Sequence, residues 1–447
     1  METDTLSDPV GETAELTLHP KQTDAINACC DVKNRIVTVN GPAGSGKTTI
    51  LKKAFKADQN AGWNPALCAP TGKAAKRIFE ATGIEASTIH RLLEYSHPGD
   101  PDPKTGKPIG VSAPRRTRQN PLEVDVVYVD EAMMANKELY RGLIDALPNS
   151  GRIRFFGDIN QLDPIEEDKN SDAPAPAPFV QLINNDKFAS VTLDQVFRQG
   201  QDSGILLNAN GILKGKYPTN NEQWKNIYTE KPLDVLRDYI LDQHFEHGVS
   251  FATIENQVIV TQKKGFLGTV ALNTMIQSLF HNEEDDPTPP MQLDRHNWDY
   301  GNGGIRGDKG GKIKVYLGDK VIITQNLYEL GVFNGESGVV IELNNETGEV
   351  VIDFGDREQS IPPLLLVQNS YGGTSEIDPR RSIALGYVIT THKSQGSEYK
   401  KVIYLAPKAH SFMLNRRNFY TGITRAREHV CLITDQRGMA AACTKKG

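Results

Sequence analysis

The run Gly41-Pro42-Ala43-Gly44-Ser45-Gly46-Lys47-Thr48 has the spacing G-x-x-x-x-G-K-[ST], and each residue type in it suits one chemical task. Glycines let backbone amides curl around an anion, Lys47 brings a cation to terminal phosphates, and Thr48 offers a hydroxyl to Mg²⁺. The β-branched run 35–40 precedes the loop and a helical pattern from Thr49 to Lys56 follows it. Strand before and helix after set the run apart from an ordinary glycine-rich turn, and the helix dipole favours a bound anion.

A nucleoside triphosphate needs more than a cradle. Val124-Asp125-Val126-Val127-Tyr128-Val129 reads as a strand buried in a parallel sheet, and Asp130-Glu131 close it. Asp130 can hold Mg²⁺ through its water shell, while Glu131 orients and deprotonates an attacking water. The next strand, 153–156, runs into Gly157-Asp158-Ile159-Asn160-Gln161, where Gln161 can reach a γ-phosphate or its water. Gln22, on a helix just upstream of the loop, suits either a solvated helix position or the edges of adenine. Arg198 follows the strand that begins at Ser190 and suits a phosphate ligand or a surface charge equally. Arg425, in Thr424-Arg425-Ala426-Arg427, would approach the same nucleotide from a second block as an arginine finger.

The elements that must position these groups follow an α/β rhythm. A strand at 66–69 ends in Pro70-Thr71-Gly72-Lys73-Ala74-Ala75-Lys76-Arg77, a polar turn and basic helix start suited to an anion. Ala86-Ser87-Thr88-Ile89-His90 sets hydroxyls and an imidazole at another helix start, where Thr88 reads most simply as a cap. Residues 96–121 break the rhythm with repeated prolines and basic residues, the pattern of a protruding hairpin or loop. Residues 200–256 read as mixed helix without a motif. A second α/β block opens at 257–261, is interrupted from about 284 to 379 by short alternating strands with Gly and Asp turns, and resumes at Leu385. It carries His392-Lys393-Ser394-Gln395-Gly396-Ser397-Glu398 but no phosphate loop of its own.

Composition sets outer bounds. A chain of 447 residues suggests roughly two to four domains. It is 38% hydrophobic and 24% charged, with no run able to cross a bilayer and no basic-then-apolar leader, so a cytoplasm is expected, that of a host if the source is viral. Five scattered cysteines match neither zinc nor disulfide spacing, and adjacent Cys29 and Cys30 read as small apolar helix residues. With 50 basic and 56 acidic residues the net charge is −6, which excludes a whole-surface polyanion binder. It leaves room for a local basic groove, because counterion release depends on the cations that touch phosphate.

Taken in order, these segments resemble the motif series of superfamily 1 helicases, and within it the RecD-like and bacteriophage Dda-like subgroup, over most of residues 15–435. The resemblance implies an α/β fold of two RecA-like P-loop NTPase domains, 1–199 and 200–447. It adds a pin or hairpin inserted at about 93–121 and a small SH3-like β-barrel inserted at about 284–379. ATP and Mg²⁺ are the implied cofactors. Gly41, Pro42, Ala43, Gly44, Ser45, Gly46, Lys47, Thr48 and Thr49 would surround the phosphates, with Thr48 and Asp130 on the metal. Gln22 would meet adenine, Glu398 the ribose, Glu131 the water, and Gln161, Arg198 and Arg425 the γ-phosphate. Pro70, Thr71, Lys73, Thr88, His90, His392 and Gln395 would line the path of single-stranded DNA.

The implied activity is ATP-dependent unwinding or translocation, 5′ to 3′, in replication, recombination or repair. Its agent would be a monomer that meets single-stranded DNA, a DNA fork and replication or single-strand-binding proteins, with no membrane partner. A translocase that displaces proteins with little unwinding, and an ATP-gated single-strand-binding loader, are the alternatives. Two departures stand out. Ala132-Met133 replaces the Val-Ser of many relatives, and residues 96–127 contain no Phe, Tyr or Trp, so a pin there would wedge by the bulk of Ile109 and Val111.

Overall fold

The computed structural model describes residues 18–95, 113–164, 176–195, 203–281, 286–294, 311–368 and 374–446. Arg198, Ile109 and Val111 lie outside the described residues. Strands β1 (Ile36–Asn40), β2 (Pro65–Ala69), β3 (Ser87–Thr88), β4 (Val126–Val129), β5 (Arg152–Gly157) and β6 (Ala189–Thr192) form one sheet in the order β3-β2-β4-β5-β1-β6. Every pairing in it is parallel. Helices pack on both faces, so β4 and β5 are buried throughout, and their apolar runs follow from that. Parallel strands all end at one edge, where ligands bind in open α/β sheets. The loop after β1, Asp130-Glu131 after β4 and Asp158 after β5 therefore converge there.

A second parallel sheet contains β7 (Trp224–Tyr228) and β8 (Asn256–Val260) before the chain leaves it. The strand β7 lies in the stretch that sequence pattern leaves as mixed helix. Only Trp224 in it is fully buried, as suits an edge strand, and an edge strand lacks the unbroken apolar run that marks β4. The excursion is antiparallel. Strands β9 (Met291–Asp294) and β10 (Lys312–Val315) pair with each other. Strands β11 (Lys320–Ile323), β12 (Ser337–Asn344), β13 (Glu349–Asp353), β14 (Glu358–Ile361) and, after the β15 (Leu365–Gln368) and β16 (Thr374–Ile377) pair, β17 (Ile383–Leu385) make a sheet ordered β14-β13-β12-β11-β17. It has its own apolar core around Val321, Val340 and Ile352. Among the described residues β14 and β17 are not paired with each other, so the sheet is an open antiparallel unit.

Two residues past β17 the chain re-enters the parallel sheet as β18 (Val388–Thr390), and β19 (Tyr399–Ala406) and β20 (Ala426–Thr434) complete the order β18-β8-β19-β20-β7. The proline-rich excursion in the first lobe is closed at its base: Tyr95 bridges Pro114 antiparallel, and Arg115 and Arg116 donate to Leu93 O. Residues 96–112, the rest of the expected hairpin, lie outside the described residues. All five cysteines are unpaired thiols, four buried and Cys30 half-buried. No described helix is long and apolar enough to cross a membrane.

Trp224 packs edge-on to Phe419 in the core beneath β20, and its indole N–H donates to Asn226 Oδ1 at 2.7 Å. Trp224→Ala is expected to cost about 3–5 kcal/mol through the cavity it leaves. A lower urea midpoint by circular dichroism is the measurement that checks it.

Candidate nucleotide cleft and nucleic-acid interface

The loop after β1 enters the helix Lys47–Asn60 through Gly46, whose φ of 84° is left-handed. A Cβ there would also sit 2.4 Å from Gln22 Nε2, so glycine is required twice over. Gln22 braces the loop from outside: its Nε2 donates to Ser45 O at 3.1 Å and its Oε1 accepts from His19 N–H at 3.1 Å. With both ends of its amide engaged, Gln22 does not line the cleft in this structure, and a contact with adenine would require it to leave Ser45 O. Gly41, Pro42 and Ser45 likewise shape the loop from within. Lys47 Nζ donates back to Gly41 O at 2.7 Å and Pro42 O at 3.0 Å, which holds the ammonium over the cradle.

One cavity of about 390 Å³ collects the remaining nucleotide candidates. Ala43, Gly44, Gly46, Lys47, Thr48, Thr49, Asp130, Glu131 and Gln161 face it from the first lobe, and Glu398 and Arg425 from the second. Burial first, and then the adjacent Glu131 charge, push the Asp130 carboxyl up to about 6. Thr48 and Asp130 supply hard oxygen donors of the kind Mg²⁺ takes alongside phosphate oxygens and water. Glu131 has φ 48° and ψ 38°, a left-handed conformation costly for a residue with a Cβ. Such strain persists where surrounding structure enforces it and clusters at functional sites.

The second lobe also shapes its partner's residues. Arg417 donates to Gln161 O at 2.9 Å and to both oxygens of Asp163 at 2.5 and 2.7 Å. Tyr420 O–H donates to buried Asp158 at 2.9 Å, and Leu162 N–H to Thr421 Oγ1 at 3.0 Å. Gln161 is thereby fixed at the cavity wall, its buried side-chain Oε1 without a protein partner. The Arg425 guanidinium is 3% exposed and held by Thr421 O at 3.0 Å, Thr424 Oγ1 at 3.3 Å and Ser397 O at 3.5 Å. Sequence reading passes over one group here. Arg77 also lines the cavity, ion-paired with Glu398 across the cleft and with Glu131 at 3.8 Å. Its signal was present in the basic helix start but assigned to an anion.

A second cavity, about 940 Å³, is lined by Pro70, Thr71, Lys73, Thr88, His90, His392 and Gln395 together. Thr71 and Thr88 cap helices, accepting from Ala74 N–H at 3.2 Å and Arg91 N–H at 3.1 Å, so their hydroxyls hold the turns that face the cavity. Burial lowers the pKa of His90 and of His392, which keeps both rings neutral near pH 7. The antiparallel insert supplies a wall that sequence pattern does not announce: Asn326, Tyr328, Phe333, Asn334 and Gly335. Phe333 packs so tightly on Gly72 that a Cβ there would meet it at 2.8 Å, and Tyr328 meets Phe333 edge-on at 6.1 Å. Beside them Lys76 pairs with Glu336 at 3.0 Å and Asp356 at 2.7 Å, and Lys73 Nζ donates to Gly335 O at 2.9 Å. Basic, aromatic and amide groups around an open groove suit an unpaired nucleic-acid strand.

Residues 17–226 match the family described as AAA domain, and residues 385–433 match the UvrD-like helicase C-terminal domain. The chain is similar to the ATP-dependent RecD2 DNA helicase of Deinococcus radiodurans, 31% identical over 395 residues that cover 88% of this chain and 46% of that protein. It is 26% identical to the RecBCD enzyme subunit RecD of Mycobacterium tuberculosis over 455 residues, covering 92% of this chain and 68% of that one. The chain thus spans less than half the length of the RecD2 relative. Among solved structures, Bacteroides Pif1 bound to single-stranded DNA aligns with a TM-score of 0.56 at 18% identity, over 95% of this chain and 94% of that one. A Pif1 structure describing unwinding at forked duplex DNA aligns at 0.59 and 19%, over 94% and 92%. The fold is accordingly that of two RecA-like α/β domains.

Desolvation lowers Lys73 to about 8, against a smaller opposite pull from Glu336. A phosphate bound at Lys73 would raise that value, so oligonucleotide affinity is expected to be full below pH 8 and to weaken as pH rises from 8 towards 10. Anisotropy titrations check this, with Lys73→Met removing the pH dependence and lowering the salt slope by about 1.

Proposed function

From its similarity to the RecD2 and RecD helicases, we propose that the chain is a superfamily 1 helicase of the RecD-like kind, an ATP-driven motor on single-stranded DNA with one nucleotide shared between two lobes. The observation that carries this reading is that Lys47 and Arg425, borne on different sheets, line one cavity. The lobes would be 1–199 and 200–447, with the antiparallel unit as an SH3-like insert and the proline-rich segment as a pin. ATP draws Lys47 off the carbonyls of Gly41 and Pro42 and onto its terminal phosphates. Thr48 and Asp130 would hold Mg²⁺, whose charge would offset that of the phosphates when bound. Glu131 takes a proton from the water that Gln161 orients, while Arg425, joined by Arg198, stabilises the γ-phosphoryl as it leaves. Glu398 serves the ribose, and Gln22 turns to adenine from its brace on Ser45.

Loss of the γ-phosphate removes what Arg425 was holding, and the cleft reopens. Pro70, Thr71, Lys73, Thr88, His90, His392 and Gln395 grip the strand in alternation, giving 5′ to 3′ movement by a monomer in a cytoplasm. Duplex unwinding at forks in replication, recombination or repair is the work this motor would do, with replication or single-strand-binding proteins as neighbours. A second reading, a translocase that displaces proteins and separates duplex poorly, is favoured by the lack of Phe, Tyr or Trp in residues 96–127. Arg116 and Arg118 are also taken up by Glu94, Glu123 and Asp145. An ATP-gated loader has no use for Glu131 and Arg425 at the cavity wall.

Glu131→Gln is expected to keep ATP and DNA binding while kcat falls about 10²–10⁴-fold; retained hydrolysis removes Glu131 from its role. Unwinding of 5′-tailed against 3′-tailed duplex tests the direction. Protein displacement that survives deletion of residues 98–119 while unwinding is lost would favour the motor with a working pin, and weak unwinding before deletion would favour the translocase.

A further inference from the structure

Two segments line both cavities. In the first lobe, Pro70 to Lys73 face the larger one, and Ala74, Arg77, Ile78 and Ala81, on the same helix (Gly72–Thr82), face the smaller. In the second lobe, His392, Lys393 and Gln395 face the larger, and Gly396 and Glu398 the smaller, the chain reversing through Gly396 at φ 73°. One side chain ties these segments together. Arg77 pairs with Glu398 of the second lobe and, at 3.8 Å, with Glu131 of its own. Lys73 and Arg77 stand four residues apart, so they share a helix face about 6 Å apart along the axis. A push on the turn at Lys73 is therefore a push on Arg77.

Resting on the motor reading above, we propose that Arg77 is a positioning residue that restrains Glu131 until a strand fills the larger cavity, making hydrolysis conditional on DNA. Glu131 and Glu398 are each 14% exposed, so two carboxylates compete for a guanidinium that is itself 33% exposed. At 3.8 Å Glu131 Oε1 is drawn toward Arg77 by charge and not by a hydrogen bond, and a carboxylate held on that side is not aimed at an attacking water. The contact with Glu131 is the longer of the two and lies near the limit of an ion pair, so a small helix displacement breaks it first. That displacement has a source. Lys73 Nζ is committed to Gly335 O at 2.9 Å on the insert, and a DNA phosphate that takes the ammonium from that carbonyl removes one tie between the helix start and the insert, leaving the Lys76 pairs with Glu336 and Asp356 as the pivot. The helix moves as a unit, Arg77 stays with Glu398, and Glu131 is released toward the nucleotide.

The test is steady-state ATPase with and without oligo-dT, on wild type, Arg77→Gln and Arg77→Lys. Arg77→Gln should raise the DNA-free rate roughly five-fold, the shift expected for losing one half-buried ion pair, and shrink the ratio of stimulated to unstimulated rate by as much. Oligo-dT affinity by anisotropy should stay at the wild-type value, because Arg77 does not line the larger cavity. Arg77→Lys keeps the charge but lacks the fork to hold two carboxylates, so it should fall between the two. A DNA-free rate in both variants at or below wild type, or an unchanged stimulation ratio, overturns the restraint. A wild type whose hydrolysis DNA does not stimulate overturns the motor reading instead.

Discussion

The cleft between the two sheets depends on charge that neither lobe can bury alone. Asp130, Glu131 and Asp158 come from the first lobe with Lys47 and Arg77; Glu398 comes from the second with Arg425. Burial is the leading force on Asp130 and on Asp158, raising both, and an unpaired buried carboxylate is far costlier than a paired one. Part of that cost is met across the gap, where Tyr420 O–H donates to Asp158 and Arg77 pairs with Glu398, and Arg417 adds a more exposed pair with Asp163. A nucleotide, with its own negative charge, would enter that balance of charge directly.

Placement of the cations is as informative as their number. Arg425 lies 3% exposed, and its hydrogen-bond acceptors among the described residues are backbone carbonyls and a hydroxyl, not carboxylates. Its charge is left for something in the cavity. Lys47 is likewise held by two carbonyls and not by an acid. Arg77 is the exception, spent on two carboxylates at once, and for that reason its part differs from theirs.

The antiparallel insert does more than extend the second lobe. Its own core around Val321 and Ile352 makes it rigid enough to present Tyr328 and Phe333 to the larger cavity, and ion pairs through Glu336 fasten it to the helix that begins at Gly72. That helix has its start at one cavity and its middle at the other, so the insert, the strand path and the nucleotide cleft share one mechanical element.

Local sequence by itself determined the phosphate loop and Asp130-Glu131, because each is a turn at the end of a strand whose residue types have few other uses, whereas the seven residues that line the larger cavity were grouped by the resemblance to helicase motifs. It determined two α/β blocks as well, through buried apolar runs such as those of β4 and β5. It missed β7, whose edge position removes the pattern, and it did not show that packing spends both ends of the Gln22 amide on the loop. Only tertiary structure decided that Arg77 meets Glu131 and Glu398, and that Phe333 from a distant insert walls the larger cavity. Those contacts join residues from about fifty to several hundred positions apart, and the reason they form, removal of charge and apolar surface from water, leaves no periodicity in the chain.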